Sequence, residues 1–260
     1  MLKKRVPYLL IVFLILIFVV FSLILRSGYV VPVLMYHSVD ENWKESKLSV
    51  SPESFRRQME FLVKNKYNIV SLHKIKELQE SGRPIPHKTI AITFDDGYEN
   101  NYTNAFGVMK EYNIPAAIFV VLNKIGREGY LTWPQIEKMA ENNIEIGSHT
   151  LSECYLPDIK DEAQLKREIY DSRRILKERI PQAGDFIAYC SGGFNKNIRQ
   201  IVIDAGYDGA CATNPGKDYP DDDIYAIKRL RISRTSDSLF VFWIETSGFY
   251  TWIKEHRDDD

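Results

Sequence analysis

Residues 89–97 read Thr89-Ile90-Ala91-Ile92-Thr93-Phe94-Asp95-Asp96-Gly97, an apolar run stopped by two carboxylates and a glycine. Such a short run, rich in β-branched and aromatic side chains and closed by turn residues, predicts a strand at 89–94. Outward from it the same signature returns at 31–36, 68–72, 116–122, 144–147, 186–190, 209–212 and 227–232. Between these runs, amphipathic stretches predict helices at 52–64, 101–112, 134–142, 162–178 and 196–205, with a last one at 237–245. Ser51 opens the first, which carries Phe55, Met59 and Leu62 on one face. Strand and helix alternating through seven or eight units predict an α/β chain with a parallel sheet, closed most economically as a (β/α) barrel.

Composition narrows the partners. The 260 residues carry 34 Lys+Arg against 35 Asp+Glu and are 45% hydrophobic, which excludes a disordered or collagen-like chain. Without a basic surplus, nucleic acid is not the expected partner. The 15 tyrosines suit stacking on sugar rings, although tyrosine packs cores equally well. Residues 8–25 are apolar apart from Ser22, long enough to predict one N-terminal transmembrane helix. The basic stub 1–7, with Lys3, Lys4 and Arg5, would stay in the cytoplasm and leave the rest outside the cell membrane. Leu25-Arg26-Ser27-Gly28 is a poor cleavage site, so an uncleaved signal anchor is expected, a cleaved signal peptide being the alternative. Three cysteines (Cys154, Cys190, Cys211) are too few for a disulfide framework. With no linker or repeat after the anchor, residues 31–260 are expected to form one domain.

A barrel gathers its chemistry past the C-terminal ends of its strands. His37, Asp95 and Asp96, His149, Ser191-Gly192-Gly193, and Arg229 with Arg231 and Arg234 all fall there. Neighbouring carboxylates leaving a strand point apart, so one can bind a cation while the other takes a proton from water. A capped turn would use the same residues. His149 and Glu153, four apart, would share one face of a helix and make a metal half-site, which Asp96 would complete. A surface ion pair is the plainer reading of that spacing.

Taken together, Thr93-Phe94-Asp95-Asp96-Gly97, Gly147-Ser148-His149-Thr150 and the loop Ala188-Tyr189-Cys190-Ser191-Gly192-Gly193-Phe194-Asn195 resemble the polysaccharide deacetylase family (NodB-homology domain, carbohydrate esterase family 4). The resemblance spans about 31–243. It implies a distorted (β/α) barrel of about seven strands and metal-dependent removal of N-acetyl groups from an acetylated amino-sugar polysaccharide. By the family's pattern Asp95 is the general base, while Asp96 and His149 are metal ligands. Pro32-Val33-Leu34-Met35-Tyr36-His37-Ser38 looks like the poly-N-acetylglucosamine deacetylase branch, whose general-acid histidine lies on the first strand. His73 and His87 fall in expected loops and His256 in the tail, and the last strand offers no Leu-x-His, which leaves His37 for that role.

Three departures bear on the site. Glu153 stands where the family's second histidine ligand falls, and an anionic ligand leaves a bound water less acidic. Cys190 and Ser191 replace the usual proline and tyrosine of the loop expected to supply an oxyanion donor near Tyr189, Ser191 and Gly192. One of Arg229 and Arg231 is expected to orient a carboxylate. The expected cofactor is a divalent metal, zinc first, with cobalt, nickel or manganese as alternatives, held by Asp96, His149 and Glu153. The expected activity is an extracytoplasmic N-deacetylase acting on N-acetylglucosamine units. A degenerate glycan-binding protein and an O-acetyl esterase are the alternatives.

Overall fold

The structure, a computed structural model, describes residues 29–213, 219, 220 and 222–250, together with Phe13 and Leu16. The expected membrane segment 8–25 otherwise lies outside the described residues, as does His256; among the described residues no helix is long and apolar enough to cross a membrane. In chain order the strands are β1 (Val33–Tyr36), β2 (Ser38–Val39), β3 (Ser49–Val50), β4 (Asn68–Ile69), β5 (Thr89–Phe94), β6 (Ala116–Val120), β7 (Ile144–Ser148), β8 (Phe186–Ala188), β9 (Gly209–Cys211) and β10 (Leu230–Arg231). The α-helices are α1 (Pro52–Lys64), α2 (Leu72–Glu80), α3 (Gly107–Glu111), α4 (Trp133–Ala140), α5 (Glu162–Arg179), α6 (Lys196–Asp204) and α7 (Leu239–Glu245).

Seven parallel strands in the order β10-β1-β5-β6-β7-β8-β9 form an open, half-barrel sheet, with β4 added to the first residues of β5. Between β9 and β10 the ladder gives way to a single bridge, Cys211 with Ile227. The alternation of side chains along each strand sorts the core. From β1 and β5, Leu34, Tyr36, Ile90, Ile92 and Phe94 face the helices, whereas Val33 and Ala91 join Ala117, Phe119, Ala188 and Cys211 in a second cluster. On α1, the Ser51 hydroxyl accepts from the Ser54 N–H (3.0 Å), Pro52 starts the helix, and Phe55, Met59 and Leu62 are buried.

Register positions the chemistry. Tyr36 pairs with Phe94, and the Asp95 N–H donates to the Tyr36 carbonyl (2.9 Å), so His37 and Asp95 leave the sheet side by side. Val120 pairs with Ser148, and the His149 N–H donates to the Val120 carbonyl (2.8 Å), which sets His149 on the same rim. At the opposite end, Tyr29 donates from its hydroxyl to the carbonyl of Thr89 (3.0 Å), its ring meets Phe249 (6.0 Å), and the Val30 N–H donates to Gly248 (2.9 Å).

The region around His73 corrects the expectation of a loop. It lies in α2, capped by Ser71, whose hydroxyl accepts from the Lys74 N–H. The His73 ring contacts Glu145 through Nδ1 and Asp185 through Nε2 (3.3 Å), while Lys177 also pairs with Asp185 (2.5 Å). The hydrogen bonds to Asp185 and then Glu145 raise the imidazole from its ordinary value to about 10. A folded value above the unfolded one gives stabilisation that is complete below about pH 6.5 and is lost as pH rises through about 10. The difference in melting temperature between the wild type and His73→Gln should therefore shrink steadily from pH 6 to pH 10. A difference that stays constant over that range would remove His73 from the balance.

Candidate active site

Asp95 is buried to 3% exposure and held by a two-pronged ion pair: Arg229 donates through Nη1 to Oδ1 (2.6 Å) and through Nη2 to Oδ2 (2.8 Å). Burial alone would raise this carboxyl, but the guanidinium outweighs it and holds Asp95 down at about 2. Arg229 is itself fixed. Its Nε–H donates to the Ala212 carbonyl (3.0 Å) and its guanidinium lies over the Phe119 ring (5.5 Å). Of the two arginines expected to orient a carboxylate, Arg229 does so; Arg231, in β10, is exposed. The ladder includes only Leu230 and Arg231, so Arg229 precedes the regular strand and turns inward.

Asp96 follows in the left-handed region (φ +70) and Gly97 does too (φ +72). A non-glycine residue held there costs of order 1 kcal/mol or more, a strain often found at reactive sites. It turns Asp96 towards His149, whose Nε2 lies 3.5 Å from Asp96 Oδ1. The His149 Nδ1–H donates to the Ala188 carbonyl (2.8 Å), which leaves the Nε2 lone pair free. Two donors each about 2.1 Å from one tetrahedral ion lie roughly 3.4 Å apart, so this pair fits a divalent metal.

Glu153 departs from the expected half-site. Residues 149–153 form a turn and not a helix, with left-handed residues at Thr150 (φ +64) and Glu153 (φ +61). The buried Glu168 carboxylate holds that turn, accepting from the Leu151 and Ser152 N–H groups (3.0 Å each) and the Ser152 hydroxyl (2.7 Å). The Glu153 carboxylate forms an ion pair with Lys124. It is not gathered with Asp96 and His149: among the described residues the ligand atoms that lie together belong to His73, Asp185 and Asp208. There, Lys177 occupies Asp185 and Lys76 occupies Asp208 (3.2 Å).

The loop after β8 divides its expected roles. The Tyr189 side chain is fully buried, stacks on Phe194 (4.5 Å) and donates to the Tyr225 carbonyl (3.1 Å), while its N–H donates to Cys211 (2.9 Å). Tyr189 therefore anchors the loop and offers no oxyanion donor. The N–H groups of Cys190 and Ser191 take no acceptor among the described residues and remain to serve. Ser191 (φ +52) and Gly192 (φ +72) bend the loop, and a Cβ on Gly192 would meet Thr213 Oγ1 at 2.7 Å. The Cys190 thiol is buried and donates to the His149 carbonyl (3.4 Å), the role of a small packing residue.

His37 sits beside the carboxylates with its Nδ1 buried and unpartnered among the described residues. Burial lowers its imidazole from the ordinary value, and the charges of Asp95 and Asp96 work against that shift. Asn101 holds its backbone, donating from Nδ2 to the His37 carbonyl (2.7 Å). Sequence reasoning missed Tyr98, whose hydroxyl is pushed upward first by burial and then by the charge of Asp96. Its place directly after Asp95-Asp96-Gly97 was the available signal. Lys124 offered none.

Residues 82–210 match the family model described as polysaccharide deacetylase. YxkH of Bacillus subtilis (strain 168), whose name places it among the polysaccharide deacetylases, is 32% identical over 216 residues, 83% of this chain and 76% of its own length. A Staphylococcus epidermidis protein named poly-beta-1,6-N-acetyl-D-glucosamine N-deacetylase is 27% identical over 77% of this chain and 73% of its own length. Among solved structures, the Streptococcus pyogenes deacetylase PplD in complex with acetate superposes with a TM-score of 0.72 at 25% identity, covering 78% of this chain and 92% of that one.

Proposed function

The chain belongs to the polysaccharide deacetylase family and is a polysaccharide N-deacetylase, a hydrolase of carbon–nitrogen bonds other than peptide bonds; from that premise we propose that it removes N-acetyl groups from N-acetylglucosamine units of a cell-surface polysaccharide of the poly-N-acetylglucosamine type. The observation that carries this reading is the convergence on one rim of an ionised buried carboxylate, Asp95, a donor pair, Asp96 with His149, and a histidine, His37.

Asp95 accepts the proton of the attacking water; each of its oxygens keeps a lone pair beside its bond to Arg229. The Cys190 and Ser191 N–H groups face the developing oxyanion. As the hydroxide adds to the acetamide carbon and the carbon–nitrogen bond then breaks, His37, whose burial keeps its imidazole below its ordinary value, takes over the water proton from Asp95 and delivers it to the departing amine, leaving acetate. Asp96 and His149 would hold a divalent metal, which when bound would supply Lewis acidity toward the acetamide carbonyl and the water. Glu153, which is turned to Lys124 and stands apart from Asp96 and His149, would join that ligand set only by giving up its ion pair.

Acetate release from β-1,6-linked N-acetylglucosamine oligomers, compared with chitooligosaccharides and peptidoglycan, tests the substrate. Release should be fastest from the first, and no release from any of them overturns the reading. Metal titration tests the ligand set: Glu153→Ala should bind metal at least about tenfold more weakly, and Lys124→Ala should bind it more tightly. Equal binding in the wild type and both variants would remove Glu153 from the set.

We also place the barrel domain, 31–260, outside the cell on a single-pass anchor at 8–25, because the basic stub before that segment favours the cytoplasm. Protease added to wall-stripped but sealed cells should degrade the domain. Protection under those conditions reverses the topology.

A further inference from the structure

A cavity of about 630 Å³ opens beside the reacting groups. That lies within the roughly 300–1,000 Å³ typical of small-ligand sites. It is lined by His37, Tyr98 and Tyr130 and by four carboxylates, Asp40, Glu45, Glu99 and Glu128. Tyr98, two residues after Asp96 in the chain, stacks on Tyr130 (5.4 Å between ring centroids, 24° between planes), and the cavity adjoins the site through His37. The unpartnered, buried Nδ1 of His37 belongs to a ring that lines this space.

The charge of the lining is one-sided. Among the described residues no lysine or arginine lines the cavity, and none of its four carboxylates has a lysine or arginine ion-pair partner. Elsewhere such partners are the rule: Glu111 with Arg56, Glu137 with Arg179, Glu162 with Lys166, Asp223 with Arg199. Asp40 accepts only amide donors, from Asn42 and Asn100, and Glu99 accepts from Gln135. Of the lysines beside it, Lys124 lies over the Tyr130 ring with its charge on Glu153, and Lys44 lies over Trp43.

An uncharged N-acetylglucosamine unit can offer four carboxylates only hydroxyl and amide hydrogen bonds, whereas a cationic one adds direct charge attraction. The sugar that the reaction makes carries a free amine, which is protonated near neutral pH and is what such a lining attracts. Resting on the deacetylase reading, we infer that this cavity is a subsite for a glucosamine unit already freed of its acetyl group, next to the N-acetylated unit at Asp95 and His37. The preferred substrate is then a partially deacetylated chain, and each turnover improves the chain for the next.

Binding tests the subsite without requiring turnover. A β-1,6-linked glucosamine tetramer and its fully N-acetylated form are titrated into the full-length wild type and into the triple variant Glu45→Gln/Glu99→Gln/Glu128→Gln at low salt. The amine tetramer should bind the wild type about tenfold more tightly than the acetylated one, and the triple variant should lose that preference. Equal affinity of the two tetramers for the wild type, or a preference that survives in the triple variant, overturns the subsite. The acetate-release assay answers separately: a wild type that prefers the amine tetramer but deacetylates nothing keeps the subsite and loses the proposed function.

Discussion

Asp95→Asn is expected to lose at least about a hundredfold in acetate release, the usual contribution of a general base, while still binding metal. The side chains are isosteric, but an amide cannot accept the proton, and its NH2 group would face the Arg229 guanidinium, donor against donor. Asp96→Asn should instead lose the metal, because Asp96 is the carboxylate aimed at His149 Nε2. Measuring kcat and metal content in both variants separates the roles. If Asp95→Asn loses metal and Asp96→Asn keeps it, the assignments are exchanged.

Arg229→Met should be the most damaging single change to the fold, with about 3–5 kcal/mol lost, since it strands a fully buried carboxylate without its partner. Burial would then be opposed only by the charges of His149 and His37, and the Asp95 carboxyl would rise from the value the guanidinium holds it at. Replacing both members, as Arg229→Met/Asp95→Leu, should recover much of the stability and none of the activity. Urea unfolding of the single and double variants checks this. A single variant within 1 kcal/mol of the wild type (on the order of an ordinary surface substitution) would mean that the pair does not sustain the interior.

How far the sequence carried the argument depended on how locally each feature is encoded. The strand at 89–94 and the helix at 52–64 appear with the expected limits, because an apolar run stopped by Asp-Asp-Gly and a Ser-Pro start leave little freedom. The helix Leu72–Glu80 was hidden: the residues before it read as a longer strand, and only Leu72 and Ile75 are buried along it. Asp95, Asp96 and His149 meet as expected, since strand ends in a parallel sheet converge. Arg229 and Arg231, two apart, should share a face in a continuous strand; the ladder's late start separates them. The turn carrying Glu153 was not legible, because two of its residues take left-handed backbone without being glycine and its geometry rests on Glu168, 15 residues away.

The contact of Tyr29 with Thr89 fixes the direction in which the domain can reach. Thr89 begins β5 and Asp95 follows its last residue, so the chain leaves position 29 about 17 Å, the length of that strand, below the level of the reacting groups. Gly248 admits no larger residue at this junction, where a Cβ would meet the Tyr29 ring at 2.1 Å. If the proposed anchor at 8–25 holds the chain, it would draw on the end of the sheet at Thr89, opposite the rim that carries Asp95. Held that way, the reacting groups would face away from the anchored surface, toward polymer strands above it rather than those lying against it.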